Sequence, residues 1–185
     1  MPDTRPQTHV YIATSLDGFI ARADGSLHWL TQAQAAAPAG EDFGYAAFMA
    51  GIDALVMGRK TFETVLAFEP WPYTGKAVHV LSRQAAGPVP EAWRHKAQVT
   101  HESPAALLGR LGREGVGQVY LDGGELIRSF LREELVDFLT LTTIPVLLGA
   151  GRPLWGSLPR DQAWQLIGAR HWPCGFVQAR YRRAP

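Results

Sequence analysis

The sequence predicts an α/β chain: a mixed, mostly parallel central sheet with an antiparallel hairpin at its C-terminal side and helices on both faces, a three-layer arrangement. Three observations carry that reading. Short β-rich runs alternate with helix-spaced segments between Val10 and Leu131. From Asp137 the character changes to "DFLTLTTIPVLL". In "FVQARYRR", Val177, Ala179 and Tyr181 alternate with Gln178, Arg180 and Arg182, behind the reversal signal "HWPCGF" at 171–176.

Taken in order, 10–14 is a first strand, followed by the turn pairs Asp17-Gly18 and Asp24-Gly25. The small-residue stretch "AQAAAPAG" at 33–40 reads as a loop or a frayed helix start. Tyr45, Phe48, Met49 and Ile52 recur at i, i+3, i+4 and i+7, which predicts a helix over 41–52. "DALVMG" at 53–58 is a short buried strand, 61–66 a helix, and "KAVHVLS" at 76–82 the next strand. Ser103 before Pro104 supplies a cap and a first-turn proline for a helix whose Leu107, Leu108 and Leu111 share a face. Gly115 and Gly117 end it before a strand at 118–121, and Gly123-Gly124 then lead into a helix near Glu125.

The 185 residues, 46% of them hydrophobic and 19% charged, suffice for a single domain over 1–185 with its own core. Lys plus Arg number 18 against 17 for Asp plus Glu, so no global field gathers nucleic acid or an anionic membrane. The run Arg180-Tyr181-Arg182-Arg183 reads as a charged edge strand. The single Cys174 excludes an intrachain disulfide and suits a reducing compartment. The N-terminus lacks a signal-peptide pattern, and no run approaches the roughly 18 apolar residues of a membrane span. A cytoplasmic chain with neither nucleic-acid nor membrane partners is expected. The six histidines show no ligand spacing, so no metal site is expected, and no G-x-S-x-G elbow marks a hydrolase.

In parallel α/β sheets ligands bind beyond the carboxyl ends of strands. Gly58, Arg59 and Lys60 follow one strand, Ser82 and Arg83 the next, and Gly123 and Gly124 precede a helix start after a third. Together they suit a dinucleotide carrying an extra phosphate. Each taken alone has a plainer explanation, a tight turn or solvated surface, and no G-x-G-x-x-G is present.

"YIATSLDGFIARADGSLHWL" (11–30), "VMGRKTFE" (56–63), "EPWPYTGKAVHVLSR" (69–83), "VYLDGGELIRSFL" (119–131) and "LTLTTIPVLLGAGRPLW" (139–155) occur in an order that resembles the dihydrofolate reductase-like superfamily. Within it the chain is most similar to stand-alone relatives of the riboflavin-biosynthesis reductase domain, the RibD C-terminal domain. The resemblance implies an NADPH-dependent reductase acting on a small pteridine- or pyrimidine-like molecule. It implies that Ala13 holds the nicotinamide carboxamide through its backbone, with Ile20 and Ala21 lining the ring. Arg59, Lys60 and Thr61, approached across Gly58, would meet the adenosine phosphates. Arg59 and Lys60 with Ser82 and Arg83, beside Leu81, would lie nearest the 2′-phosphate, and Gly123, Gly124, Glu125 and Leu126 under the pyrophosphate.

Asp42 precedes Gly58 by the spacing of the acid that grips the pteridine ring in the folate enzymes, and Thr142 would sit on the facing strand. Two readings of Asp42 stand: a catalytic carboxylate facing the cleft, or a charge that complements a helix start. Trp29 or Trp71 would wall the substrate pocket, although core or surface packing is the plainer role for either. The chain departs from the folate enzymes at His28-Trp29, where they carry a proline, and lacks the riboflavin reductase's Asn-Pro segment. Relatives of this kind imply a homodimer. A nucleotide-binding or interaction protein that keeps the fold without turnover is the alternative.

Overall fold

The computed structural model describes residues 5–82 and 91–185. Along them run β1 (Gln7–Ser15), β2 (Phe19–Ala21), α1 (His28–Gln34), α2 (Tyr45–Ala50), β3 (Ala54–Gly58), α3 (Arg59–Val65) and β4 (Ala77–Leu81). There follow α4 (Glu91–Arg94), β5 (Gln98–Thr100), α5 (Pro104–Arg113), β6 (Gln118–Asp122), α6 (Gly124–Arg132) and β7 (Phe138–Ile144). The last elements are β8 (Arg152–Pro153), β9 (Trp164–His171) and β10 (Val177–Arg183).

Eight strands form one sheet in the order β5-β4-β3-β6-β1-β7-β10-β9, and β2 pairs with β8 apart from it. The pairs from β5 to β7 are parallel, while β10 runs antiparallel to both β7 and β9. Strand β3 is apolar at Ala54, Leu55, Val56 and Met57, all of them buried, because helices cover it on both sides.

Parity sorts the core. On one face Val10, Val56, Val119, Leu121 and Leu139 meet Leu107, Leu108 and Leu111 of α5 and Ile127, Phe130 and Leu131 of α6. On the other, Leu55, Met57, Val78, Val80 and Tyr120 meet Phe62 and Val65 of α3, with Tyr45, Phe48 and Met49 of α2 packed alongside. A third cluster joins Trp29 of α1 to Ile144, Trp172 and Phe176 under the hairpin. The α5 cap is as its sequence predicts: Ser103 Oγ accepts from the Ala106 N–H at 3.3 Å, with Pro104 in the first turn.

Three expectations are corrected. The helix expected over 41–52 is only Tyr45–Ala50, because Gly40, Phe43 and Gly44 take positive φ and break the helical run before Tyr45. The arginine run lies in β10, an inner strand between β7 and β9, so β9 is the edge, and Arg180 and Arg182 are exposed on an inner strand. Residues 33 and 34, expected in a loop or a helix start, end α1. No helix of the described residues is long and apolar enough to cross a membrane.

His79 on β4 is 4% exposed, and its Nδ1 has no hydrogen-bond partner among the described residues. Burial lowers its pKa below the ordinary 6.5, Arg110 lowers it further, and Glu114 and Glu102 oppose the shift. The unfolded chain therefore binds the proton more readily than the folded one. Unfolding free energy from urea titrations should be full above about pH 6.5 and should decline below it. His79→Gln should flatten that slope, and above the carboxylate range the remainder should belong to His9, whose pKa burial also lowers.

Candidate functional site

The carboxyl ends of β4, β3, β6 and β1 are neighbours in the sheet. Between the last two, the sheet opens. The β1–β6 ladder ends at Val10↔Leu121, whereas β1 continues against β7 as far as Ser15↔Ile144. Odd-numbered residues of β1 turn their backbone groups toward β6, as the bond from Gln7 N–H to Gly117 O shows. Even-numbered ones face β7, since Thr8 O accepts from Asp137 N–H. Ala13 is odd, so its N–H and C=O face the gap beyond the end of the ladder. Lower in the same gap, Tyr120 fills one such position by donating its hydroxyl to Tyr11 O at 3.1 Å.

Helix α6 starts at the rim of this gap. Its N-cap is Gly123, at φ 99, and no side chain caps it. Its first free N–H groups therefore face the rim with the positive end of the helix dipole. Gly123 and Gly124 are glycines for two local reasons. A Cβ on Gly123 would collide with the Thr61 hydroxyl, and one on Gly124 would lie 2.5 Å from Ile20 Cδ1. Helix α3, through Thr61, and strand β2, through Ile20, thus close over the diglycine.

Of the remaining sequence-predicted cofactor residues, Gly58, Arg59, Lys60, Leu81, Ser82, Glu125 and Leu126 lie at or just past the carboxyl ends of β3, β4 and β6, and Arg83 lies outside the described residues. A Cβ added at Gly58 would meet nothing within 4 Å. Exposed Lys60 approaches Glu125 at 4.0 Å, and Arg59 pairs with Glu63 at 2.9 Å. Leu81 stands beside Gly58 in the β3–β4 register, and buried Ser82 anchors β5 through a bond from its N–H to Thr100 O. Leu126 is buried behind the helix start, and buried Ala21 pairs with Arg152 in the β2–β8 ladder.

The loop between β1 and β2 is tied down by Asp17. Its carboxylate accepts from the N–H groups of Leu148 and Gly149 at 3.1 and 2.7 Å and from Ser15 Oγ. Those bonds, Ser15's first, lower its pKa. Ile20 is thereby held over Gly124.

Asp122 was not legible as a site residue. It ends β6 at the edge of the gap, on the side chain face of Tyr120. Burial raises its pKa above the ordinary 3.8, while a hydrogen bond from Tyr73 and the Gly123 N–H hold it down. Tyrosines surround it. Burial pushes Tyr45 up to about 12 and Tyr73 higher, with Asp122's charge adding to each shift. "LDGG" shows an acid at a strand end, but not Tyr45 and Tyr73, which two other segments bring toward it beside Tyr120 of its own strand.

Asp42 lies before α2, exposed, and its carboxylate accepts from the N–H groups of Gly44 and Ala46, each at 2.8 Å. The Ala46 bond first, then that of Gly44, lowers its pKa. The structure does not join it to Thr142. Thr142 Oγ1 accepts instead from Gln178 Nε2 at 3.0 Å, and Gln178, only 3% exposed, also reaches Tyr11 Oη and Phe43 O. The alternation in β10 shows Gln178 on one face but not that this face is buried at its position. Trp29 is 5% exposed, and its Nε1 is buried without a partner among the described residues.

A family model, the RibD C-terminal domain, matches residues 6–178. The chain belongs to the RibD C-terminal domain family. An uncharacterized Bacillus subtilis protein, YwjB, is 35% identical over 183 residues, covering 96% of this chain and 98% of its own. A crystal structure from Shewanella sp. PV-4, named only provisionally for riboflavin biosynthesis, superposes with a TM-score of 0.88 at 36% identity, over 97% of this chain and 99% of that one. Enterococcus faecalis dihydrofolate reductase, solved with NADP(H), shares the fold at 14% identity, with a TM-score of 0.66 over 97% of each chain. The RibD-type chain thus has the dihydrofolate reductase-like architecture.

Gly123→Ala should destabilise the RibD-type fold by about 1–3 kcal/mol in urea unfolding, since it combines a positive φ with a collision. Adding Thr61→Ala should recover only part of the loss, because the backbone angle remains unfavourable. Full recovery would show that the collision alone fixes the glycine.

Proposed function

We propose that this protein is an NADPH-dependent reductase that transfers hydride to a C=N or C=O group of a small, pteridine- or pyrimidine-like substrate. The observation that carries the reading is the gap between β1 and β6, with Ala13's backbone turned into it beside the uncapped start of α6. A carboxamide needs one donor and one acceptor, and Ala13 offers both from a rigid strand. A pyrophosphate suits free helix N–H groups approached over glycine. Arg59 and Lys60 supply positive charge one strand away, where a 2′-phosphate would extend.

The nicotinamide, when bound, supplies the hydride; this chain's residues orient the reactants and exclude water. Ile20 and Ala21 would cover the ring, and Asp17 holds that loop in place. We assign the proton donor's role to Asp122 rather than Asp42. A carboxyl raised by burial at the edge of the gap holds a proton closer to neutrality, whereas Asp42 is ionised and committed to two backbone N–H groups. The buried donor Trp29 Nε1 is available to a substrate oxygen or a bridging water. Thr142 would support the floor through Gln178.

Thermal-shift titration should show tighter binding of NADPH than of NADH, with the difference shrinking in Arg59→Ala. Equal responses to both nucleotides in the unaltered protein would count against the basic pair's role. With pterin and pyrimidine acceptors, Asp122→Asn should slow NADPH consumption by about a hundredfold or more while leaving NADPH binding nearly unchanged. Saturable NADPH binding with no consumption across these acceptors would favour a binding protein without turnover.

A further inference from the structure

Tyr73 is 5% exposed among Ile52, Leu55, Met57, Phe62 and Val80, a setting phenylalanine would fill as well. A hydroxyl buried there is unfavourable unless it is hydrogen-bonded. Its one partner among the described residues is Asp122 Oδ2, at 3.3 Å. No side chain among the described residues donates to Asp122 Oδ1. The apolar packing of Tyr73 fixes its ring, with Trp71 edge-on at 5.4 Å, so the hydroxyl has little freedom to find another acceptor.

We propose that Tyr73 is the positioning residue for Asp122: its hydroxyl holds Oδ2, so that Oδ1 is the oxygen presented to the substrate. The inference rests on the reading of Asp122 as proton donor. Once the substrate carbon has accepted hydride, the π pair of its C=N or C=O bond moves to the nitrogen or oxygen. That atom takes the proton from Oδ1, the Oδ1–H bond breaks, and Asp122 is left ionised until water returns a proton. The Tyr73 hydroxyl hydrogen-bonds the carboxylate more strongly than the acid, and so stabilises the charge left behind.

The groups that face Asp122 are Tyr73 from the 68–76 segment, Tyr45 from α2 and Tyr120 from its own strand, with Tyr11 of β1 adjoining them. No cation and no second carboxylate among the described residues shifts its titration. Removing one hydroxyl therefore has a readable sign: it removes a stabiliser of the charged form and should raise the pH at which the proton leaves.

The test is carboxyl ¹³C NMR of the full chain labelled at aspartate, titrated with pH, with Asp122→Asn assigning the resonance. The wild-type midpoint should lie above 3.8, and Tyr73→Phe should move it upward by about one pH unit. Tyr73→Met, a second variant without a hydroxyl, should move it in the same direction. Tyr120→Phe should leave it in place, because that hydroxyl donates to Tyr11 O. A midpoint unmoved or lowered in both Tyr73 variants overturns the proposal. NADPH titrated into the same samples separates the two ideas: failure of the wild-type protein to bind it sinks the reductase reading, whereas an unmoved midpoint with binding intact sinks the Tyr73 pairing alone.

Discussion

The parting of β1 from β6 is the constraint on which the candidate site depends. Two parallel strands that share four paired positions stop pairing at Val10 and Leu121, yet both continue. Strand β1 is kept straight by its seven-residue register with β7, and β6 is kept in place by β3 as far as Asp122. Neither can close the gap without losing its other partner. Backbone groups of β1 that would ordinarily join a ladder are therefore directed into an opening, where a planar amide can take the place of a missing strand. The helix that begins two residues past β6 then brings its uncapped N–H groups to the same edge.

Around this opening the chain spends polar groups sparingly. The face beneath it is apolar except for tyrosines, whose hydroxyls are used one by one: Tyr120 on Tyr11 O, Tyr11 on Phe43 O, and Tyr73 on Asp122. Phenols suit such a place because their pKa values, raised further by burial, keep them neutral donors across the physiological range. One carboxyl in that surround has its proton affinity set by burial on one side and by a hydroxyl on the other. Asp42, a few residues before Tyr45, has water and backbone N–H groups around it and is held ionised. Environment, more than residue type, divides the two acids.

Much of the fold was legible because it rests on local signals. Buried β3, the capped α5 and the apolar stripe of α6 each declare themselves through composition, spacing or a cap residue. The diglycine before α6 was legible as a close approach, but the sequence could not say to what. In the structure the approaching groups include Thr61 and Ile20, which are distant in sequence. The long α2 failed because periodicity counts side chains and is blind to backbone angle; Phe43 and Gly44 at positive φ end the run early. The strand order was the other loss. Hydrophobic alternation marks β10 as half-buried, but only pairing with β9 makes it an inner strand. Asp122 and Gln178 stayed hidden for the same reason, since each takes its meaning from partners on strands, helices and loops far away in sequence.

The central claim is that the opening between β1 and β6 receives the nicotinamide end of the cofactor. Its most direct test is an NADPH titration followed by amide ¹⁵N–¹H NMR. Saturable shifts at Ala13 together with Gly124, Glu125 and Leu126 are the expected result, with the β9–β10 hairpin unaffected. Saturable binding that moves none of these four amides would contradict the claim.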